Sequence, residues 1–379
     1  MNYVQLKDVC VINMGQSPDS NSYNDCGEGL PFFQGNADFG EMYPVTRKWC
    51  SSPTKIASEN DILISVRAPI GALNYAKESC CIGRGLAALT PNKSKVSPAF
   101  IFWLLKSKNE ELNSKGTGST FKAIGRKVLE ETLIPNISLG EQIVCAKALE
   151  KIYYIMQTCQ QQLQKLDDLV KARFVEMFGD CVLNTKSWNT KRLADIAEVG
   201  SSKRVFVEDL KEKGIPFYRG TEIGALAEGK TVVPELFISE EHYSELCKAT
   251  GFPQVGDFLM PSICPDGRIW IVNTSEPFYF KDGRVLWVHA INNSYNPEFL
   301  LHALKDRIMT DYSSIASGTT FAELKIFALK ECRIFDVPLG LQNQFAAFVE
   351  QVDKSKVAVQ KSLDEAQLLF DSLMQQYFG

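Results

Sequence analysis

The chain has 379 residues, 45% of them hydrophobic and 23% charged, and its formal net charge is −4. This length exceeds what one ordinary hydrophobic core needs and predicts two domains in a globular protein. The acidic balance excludes the domain-wide basic surface that many nucleic-acid-binding proteins carry, so a nucleic-acid hypothesis depends on local clusters of cations. No apolar run reaches the roughly eighteen residues of a membrane-spanning helix. The 11 scattered cysteines predict free thiols in a reducing cytoplasm.

The first 140 residues are rich in turn residues and contain short apolar runs. Residues 62–66 (Ile-Leu-Ile-Ser-Val) predict a buried strand, and 99–106 predict a helix. The segment 1–140 is therefore expected to form a mixed α/β domain.

A long helix is predicted next, over 141–180. Apolar or small residues recur there at alternating steps of three and four, with Cys159 between Met156 and Leu163, which is the spacing of a helix-pairing seam. The predicted seam residues are Leu149, Ile152, Met156, Leu163, Leu166 and Val170. About 40 residues at 1.5 Å each would make this helix roughly 60 Å long.

The remainder of the chain repeats this organisation. A second α/β domain is expected over 181–340, with a strand at 285–288 and a helix at 298–305, followed by a second long helix over 341–379. The second seam consists of Phe348, Val352, Val359, Leu363 and Phe370. Five segments recur in the same order and indicate a duplication: 29–35 with 214–220, 60–64 with 256–260, 97–101 with 296–300, 118–121 with 318–321, and 177–179 with 377–379.

Each long helix has one apolar stripe, which must be buried against something. The simplest partner is the other helix. A rough two-fold relation between the repeats then predicts an antiparallel pair separating the two α/β domains, with packing of each helix onto its own domain as the alternative. Two related domains at a set separation suit duplex DNA, whose major groove repeats about every 34 Å.

The motifs of this chain resemble those of the specificity subunits of type I restriction-modification systems, over essentially the full length. The segments that carry the resemblance are Gly15-Gln16-Ser17-Pro18 and 200–204, 118–120 and 318–320, Ile134-Pro135 with 140–142, Val337-Pro338 with 342–344, and 171–180. The chain departs from the family pattern in lacking a double proline before the helices and a Glu in the second copy of the helix entry.

The resemblance implies that 1–140 and 181–340 are target recognition domains, each reading one half of a split, asymmetric DNA target. It also implies that the helices act as spacers and dock two methyltransferase subunits, with two translocase-nuclease subunits joining for restriction. Methyl transfer and cleavage would belong to those partners, so no catalytic residue and no cofactor is expected in this chain. The alternative is a coiled-coil interaction scaffold that does not bind DNA.

Side chains that read base edges or contact phosphates are expected in turns and beside glycines. In the first domain the candidates are Gln34, Asn36, Arg47, Lys48, Arg67, Arg84, Lys115, Ser119, Thr120 and Lys122. In the second domain they are Lys203, Arg204, Arg219, Arg268, Lys281, Arg284, Thr319 and Thr320. Gln34 and Arg219 occupy matched positions, which is the kind of difference that two domains reading different half-sites would show.

Other motifs carry less weight. Residues 224–231 satisfy the P-loop pattern, but the following Val232-Val233-Pro234 suits an extended segment rather than the required helix. Asp266 and Glu276 lack the lysine of a nuclease triad, since the third position is Phe278. The three histidines have no metal-binding spacing, and no metal site is expected.

Overall fold

A computed structural model describes residues 2–118, 122–318 and 322–379. The chain forms two compact units, one comprising Met1–Gln161 with Val359–Gly379 and the other Gln162–Ala358. Each unit therefore contains one α/β domain with parts of both long helices. The mixed α/β class predicted from the sequence is confirmed.

Within the described residues, unit 1 begins with eleven strands and four short α-helices. The strands are β1 (Tyr3–Gln5), β2 (Cys10–Met14), β3 (Tyr23–Asn24), β4 (Leu30–Phe33), β5 (Trp49–Cys50), β6 (Ile56–Ala57), β7 (Ile62–Ser65), β8 (Leu73–Tyr75), β9 (Cys80–Ile82), β10 (Leu86–Pro91) and β11 (Leu133–Pro135). The helices are α1 (Leu6–Val9), α2 (Pro98–Ser107), α3 (Asn109–Ser114) and α4 (Arg126–Glu130), followed by the long α5 (Leu139–Phe178).

Unit 2 repeats much of this order. Its strands are β12 (Thr190–Arg192), β13 (Glu198–Gly200), β14 (Ile215–Tyr218), β15 (Phe237–Ile238), β16 (Phe258–Pro261), β17 (Trp270–Ile271), β18 (Tyr279–Phe280), β19 (Val285–His289), β20 (Ala316–Ser317), β21 (Glu323–Leu324) and β22 (Arg333–Phe335). Its helices are α6 (Gly220–Ala227), α7 (Glu240–Thr250), α8 (Pro297–Ile315), α9 (Ile326–Glu331) and the long α10 (Leu339–Phe378).

A four-stranded antiparallel sheet lies at the centre of each unit, in the order β2-β10-β7-β8 in unit 1 and β13-β19-β16-β17 in unit 2. Alternate residues of a strand point to opposite faces, and both faces are covered. In β7, Ile62 and Ile64 pack toward α2 and the long helices, while Leu63 packs toward Phe33 and Ile82 of a second sheet. In β16, Phe258 packs toward α8 and the long helices, while Leu259 packs toward Phe280 of a second sheet.

The second sheet contains a parallel strand pair that is the same in both units. β4 pairs with β9, placing Phe33 beside Ile82, and β14 pairs with β18, placing Tyr218 beside Phe280. Around this pair the units differ, because unit 1 adds β3, β5 and β6 whereas unit 2 adds only β15 and carries α6 and α7.

The predicted seam residues are buried or half-buried along both helices. In unit 2 the two helices run antiparallel, since Asp167 binds Lys356 at 2.7 Å and the rings of Phe174 and Phe345 lie 5.4 Å apart. The helix ends also pack into the α/β domains. The ring of Phe299 in α8 lies 4.8 Å from that of Phe178, so the apolar stripe serves both helix pairing and attachment to the domain.

The start of each long helix is held by a buried glutamine. Gln142 accepts a hydrogen bond from Ser97 N at 2.9 Å and donates to Ile137 O at 3.0 Å. Gln342 accepts from Asn296 N at 2.8 Å and donates to Val337 O at 2.8 Å. Gln142 and Gln342 are therefore equivalent, and each connects its long helix to the N-terminus of α2 or α8.

None of the helices in the described ranges has both the length and the apolar content needed to span a membrane.

Candidate nucleic-acid interface

One edge of unit 1 collects polar side chains from three segments that are distant in sequence. β4 ends at Phe33, so Gln34 is the first residue beyond the parallel pair, and Gly83 N donates to Phe33 O at 2.8 Å. The Gly15–Pro18 turn lies against these ends, because Ser17 Oγ accepts from Gln34 Nε2 at 2.9 Å and from Arg84 N at 3.3 Å. A Cβ on Gly15 would lie 2.2 Å from Gly83 O, so this close approach requires glycine.

Two further cations lie on the next backbone segments. Val66 N donates to Gly85 O at 2.9 Å, which places Arg67 next to Arg84 along the edge. Ala68 N donates to Lys122 O at 3.0 Å, and Arg67 forms an isolated antiparallel β-bridge with Ala123. We call Ser17, Gln34, Arg67, Arg84 and Lys122 the polar edge of unit 1.

The same backbone arrangement recurs in unit 2. β14 ends at Tyr218, so Arg219 takes the position of Gln34, and Lys281 N donates to Tyr218 O at 2.9 Å. Ser201 Oγ makes a contact comparable to that of Ser17 Oγ, accepting from Gly283 N at 2.9 Å and donating to Val285 O at 2.6 Å.

The next segments of unit 2 match as well. Ser262 N donates to Arg284 O at 2.9 Å, and Leu324 N donates to Ser262 O at 2.7 Å. Glu323 therefore lies where unit 1 has Ala123. Arg204 lies beside Asp282, the residue that follows Lys281. We call Ser201, Arg204, Arg219, Lys281, Arg284 and Glu323 the polar edge of unit 2.

The two edges differ in how their cations are paired. Within the described ranges, Arg67, Arg84 and Lys122 are exposed and form no ion pair with a carboxylate. In unit 2, Arg284 is ion-paired with Glu323, Arg204 lies 3.4 Å from Asp282, and Arg219 binds two glutamates. The unit 1 edge therefore presents free cationic groups, whereas much of the positive charge at the unit 2 edge is already paired.

Arg219 is the most constrained of these cations. Its backbone N donates to Glu222 Oε2 at 2.8 Å, its Nε donates to the same carboxylate at 3.1 Å, and its Nη2 binds both Glu222 and Glu235. Partial burial acts to raise the pKa of Glu222, but hydrogen bonds from Arg219 and Thr221 outweigh it and lower this pKa to about 2. Glu222 is thus a fixed negative charge at neutral pH.

The profile of the type I restriction modification DNA specificity domain matches the chain twice, over residues 1–167 and 185–366. The chain belongs to this family. The two matches also account for the duplication seen in the sequence.

Individual relatives agree with this family membership. A Methanocaldococcus jannaschii protein that carries the name MjaX specificity subunit is 43% identical over 160 residues, which are 42% of this chain and 38% of that protein. The MjaIX specificity subunit of the same organism is 24% identical, covering 98% of this chain and 90% of the relative. The solved type I S subunit from M. genitalium has the same fold, with a TM-score of 0.62 at 16% identity and coverage of 100% and 96% of the two chains.

The structure places the other predicted residues of unit 1 as follows. Arg47 and Lys48 flank the turn that follows Gln34, since Arg47 Nη1 lies 3.4 Å from Ala37 O and Lys48 O accepts from Phe32 N. Asn36 is half-buried at the start of that turn. Lys115 Nζ forms an ion pair with Glu111 Oε1 at 2.6 Å. Ser119 and Thr120 lie outside the described residues.

In unit 2, Lys203 N donates to Tyr279 Oη at 3.0 Å, which brings this segment beside the parallel pair. Arg268 lies against Gly224 of α6 and binds Asp266 at 2.8 Å and Glu228 at 3.5 Å. Thr319 and Thr320 lie outside the described residues.

Ser17 and Ser201 are not among the residues predicted from the sequence to contact DNA, although both belong to the motifs that the chain shares with the family. Glu222, Glu235 and Glu323 are not among the predicted residues either. Glu222 had a readable signal, because an acidic side chain three residues after the residue that precedes a helix is the capping-box position. The other two carboxylates meet their arginines only through folding.

The P-loop pattern at 224–231 lies on the wrong side of its helix. α6 ends at Ala227, so the helix precedes Lys230, whereas a P-loop lysine lies at the start of a helix. Lys230 binds Glu228 at 2.5 Å, which is a local ion pair rather than a phosphate cradle. Among the described residues no cluster of His, Cys, Asp and Glu could hold a metal ion.

Proposed function

We propose that this chain is the DNA-reading specificity subunit of a type I restriction-modification complex. Each recognition domain reads one half of an asymmetric, bipartite target in double-stranded DNA, and the proposed domain limits are 1–140 and 181–340, with the long helices at 141–180 and 341–379. The observation that carries the proposal is the duplicated polar edge. The same backbone frame is built twice, and it presents different side chains at matched positions, Gln34 and Arg219.

The chemistry of the edges suits this role. Arg and Gln can each make two hydrogen bonds to the major-groove edge of a purine, and free Lys and Arg attract phosphates. The three unpaired cations of the unit 1 edge supply the local positive charge that the net charge of −4 does not. Reading is therefore local, and the chain does not need a basic surface overall.

The long helices support the proposed docking of partners. Large apolar side chains remain exposed on them, including Tyr154 at 69%, Val357 at 70% and Leu368 at 72%. Exposed apolar side chains of this size are typical of protein-protein contact sites when they occur together. We propose that two methyltransferase subunits bind the helices, and that two translocase-nuclease subunits join for restriction. Methyl transfer and cleavage then take place on those partners, in the cytoplasm, and this chain is not itself catalytic.

The test is to express the chain with a type I methyltransferase subunit that assembles with it, in a host without adenine methylation, and to map modified adenines across the genome. We expect one split motif, methylated throughout. Replacing 1–140 by the corresponding segment of another specificity subunit should change one half of the motif only. A stable complex that yields no motif would contradict the proposal and favour the interaction scaffold.

A further inference from the structure

Arg219 and its two glutamates form an arrangement that the described residues of unit 1 do not repeat, since the matched position there is Gln34. A guanidinium has two edges that can donate paired hydrogen bonds: a side edge formed by Nε and Nη2, and a terminal edge formed by Nη1 and Nη2. Glu222 occupies the side edge, because both its oxygens lie 3.1 Å from Nε and one of them also binds Nη2. The orientation of the plane is therefore set by a carboxylate that is itself anchored to the start of α6.

The terminal edge is only half occupied. Glu235 takes the second Nη2 proton at 3.0 Å, and within the described residues Nη1 has no hydrogen-bond acceptor. The two glutamates differ in exposure: the side chain of Glu222 is 11% exposed and that of Glu235 is 74% exposed. An ion pair to so exposed a carboxylate is weak and readily exchanged, whereas the half-buried pair with Glu222 is held by several hydrogen bonds.

We propose that Arg219 is the residue of unit 2 that specifies a guanine, that Glu222 positions it, and that Glu235 covers its terminal edge until DNA displaces it. The acceptors that suit the terminal edge are O6 and N7 of guanine, which lie side by side in the major groove. Displacing Glu235 costs the same whichever base enters, so a base that accepts two hydrogen bonds from the terminal edge replaces it better than a base that accepts one. This inference rests on the proposed DNA-reading function.

The experiment compares variants of the full complex by methylation mapping and by equilibrium binding to a duplex carrying the wild-type motif. Arg219→Gln should make one guanine position of one half-site degenerate and leave the other half unchanged. Glu222→Gln should relax the same position, and Glu222→Asp should recover part of the discrimination, which a purely structural role in α6 would not produce at a single base. Glu235→Gln should keep the motif and tighten binding about three- to tenfold at low salt, since it removes an exposed competing charge.

Matched controls come from Arg192 in β12, which forms a similar fork with Asp195 and also binds Glu331 at the end of α9. Arg192→Gln and Glu331→Gln should change neither the motif nor the affinity. If Arg219→Gln prevents assembly, Arg219→Lys keeps the charge without the paired donors and should relax the same position.

The outcomes separate the two proposals. A wild-type complex without any split motif contradicts the proposed function itself. A wild-type motif that is unaltered by Arg219→Gln and Arg219→Lys overturns only the present inference, as does weaker binding by Glu235→Gln.

Discussion

The polar edges of the two units show which features a recognition domain keeps and which it varies. Both are built from the end of a parallel strand pair, a serine in a Gly-x-Ser or Gly-Ser turn, and adjoining extended segments. Yet the first edge presents Gln34 with free cations, and the second presents Arg219 and Arg284 with carboxylates already bound. The backbone frame is set by backbone hydrogen bonds and glycines, so the exposed side chains can change without altering the fold.

If the units are equivalent frames, core substitutions should act alike in both. Phe100 and Phe299 occupy matched, fully buried positions, with ring centroids 5.3 Å from Phe378 and 4.8 Å from Phe178. Phe100→Ala and Phe299→Ala should each reduce the free energy of unfolding of their unit by about 3–5 kcal/mol, because each leaves a cavity. Denaturant unfolding of the two variants checks this, and a small loss in one unit with a large loss in the other would show that the cores are not equivalent.

Edge substitutions, in contrast, should act differently. Replacing Arg67, Arg84 and Lys122 by Gln should lower DNA affinity about a hundredfold at 0.1 M salt and reduce the salt slope by about 2.7, since three free cations each release about 0.9 counterions. Replacing Arg204, Lys281 and Arg284 by Gln should have a smaller effect, because Arg204 and Arg284 are already paired. Binding isotherms at several salt concentrations measure both effects. Equal slopes of log affinity against log salt for the two triple variants would contradict the claim that the cations of the two edges are paired differently.

Removing a carboxylate from the polar edge of unit 2 should strengthen DNA binding, whereas removing cations weakens it. Hydrogen bonding from Lys325 lowers the pKa of Glu323, with Arg284 adding to the effect, so the group is ionised at neutral pH. Glu323→Gln should tighten DNA binding by about threefold at low salt, with the gain vanishing at high salt. Asp336→Asn, at a carboxylate that binds Lys191 in the same unit, serves as the control and should leave affinity unchanged.

Unit 2 is also expected to be sensitive to acid. The pKa of Glu222 is lowered to about 2 from an ordinary value of 4.5, so the stability this carboxylate contributes is complete above about pH 4.5 and is lost as the pH falls toward 2. Unfolding measured over this range should show a smaller decline for Glu222→Gln than for the wild type. Identical pH profiles would mean that the fork is not maintained in solution.

Much of the fold could be read from the sequence because its signals are local. Steps of three and four predicted both long helices, and recurring segments predicted the duplicated α/β domains. The dual use of the stripe was harder to see, since Phe299 is distant in sequence from Phe178, against which it packs. The buried roles of Gln142 and Gln342 were hidden for the same reason: a polar residue near a helix start is expected to be exposed unless its partners are known.

Some residues of the candidate interface could be predicted from the sequence and others could not. Gln34, Arg67, Arg84 and Lys122 were singled out beside glycines and turns, and the fold brings them onto one edge. Glu222 could be anticipated from its capping-box position, but Glu323 could not, since it approaches Arg284 only through the pairing of separate segments. The pairing of Arg284 thus depends on how separate segments meet in the fold, whereas the pairing of Arg219 with Glu222 depends on local sequence.

The most direct test of the account is methylation mapping of two matched variants, Gln34→Ala and Arg219→Ala, in the same complex. We predict that each relaxes a single position of the bipartite motif, and that the two positions lie in different halves. A variant that relaxes both halves, or two variants that relax the same half, would contradict the claim that each unit reads its own part of the target.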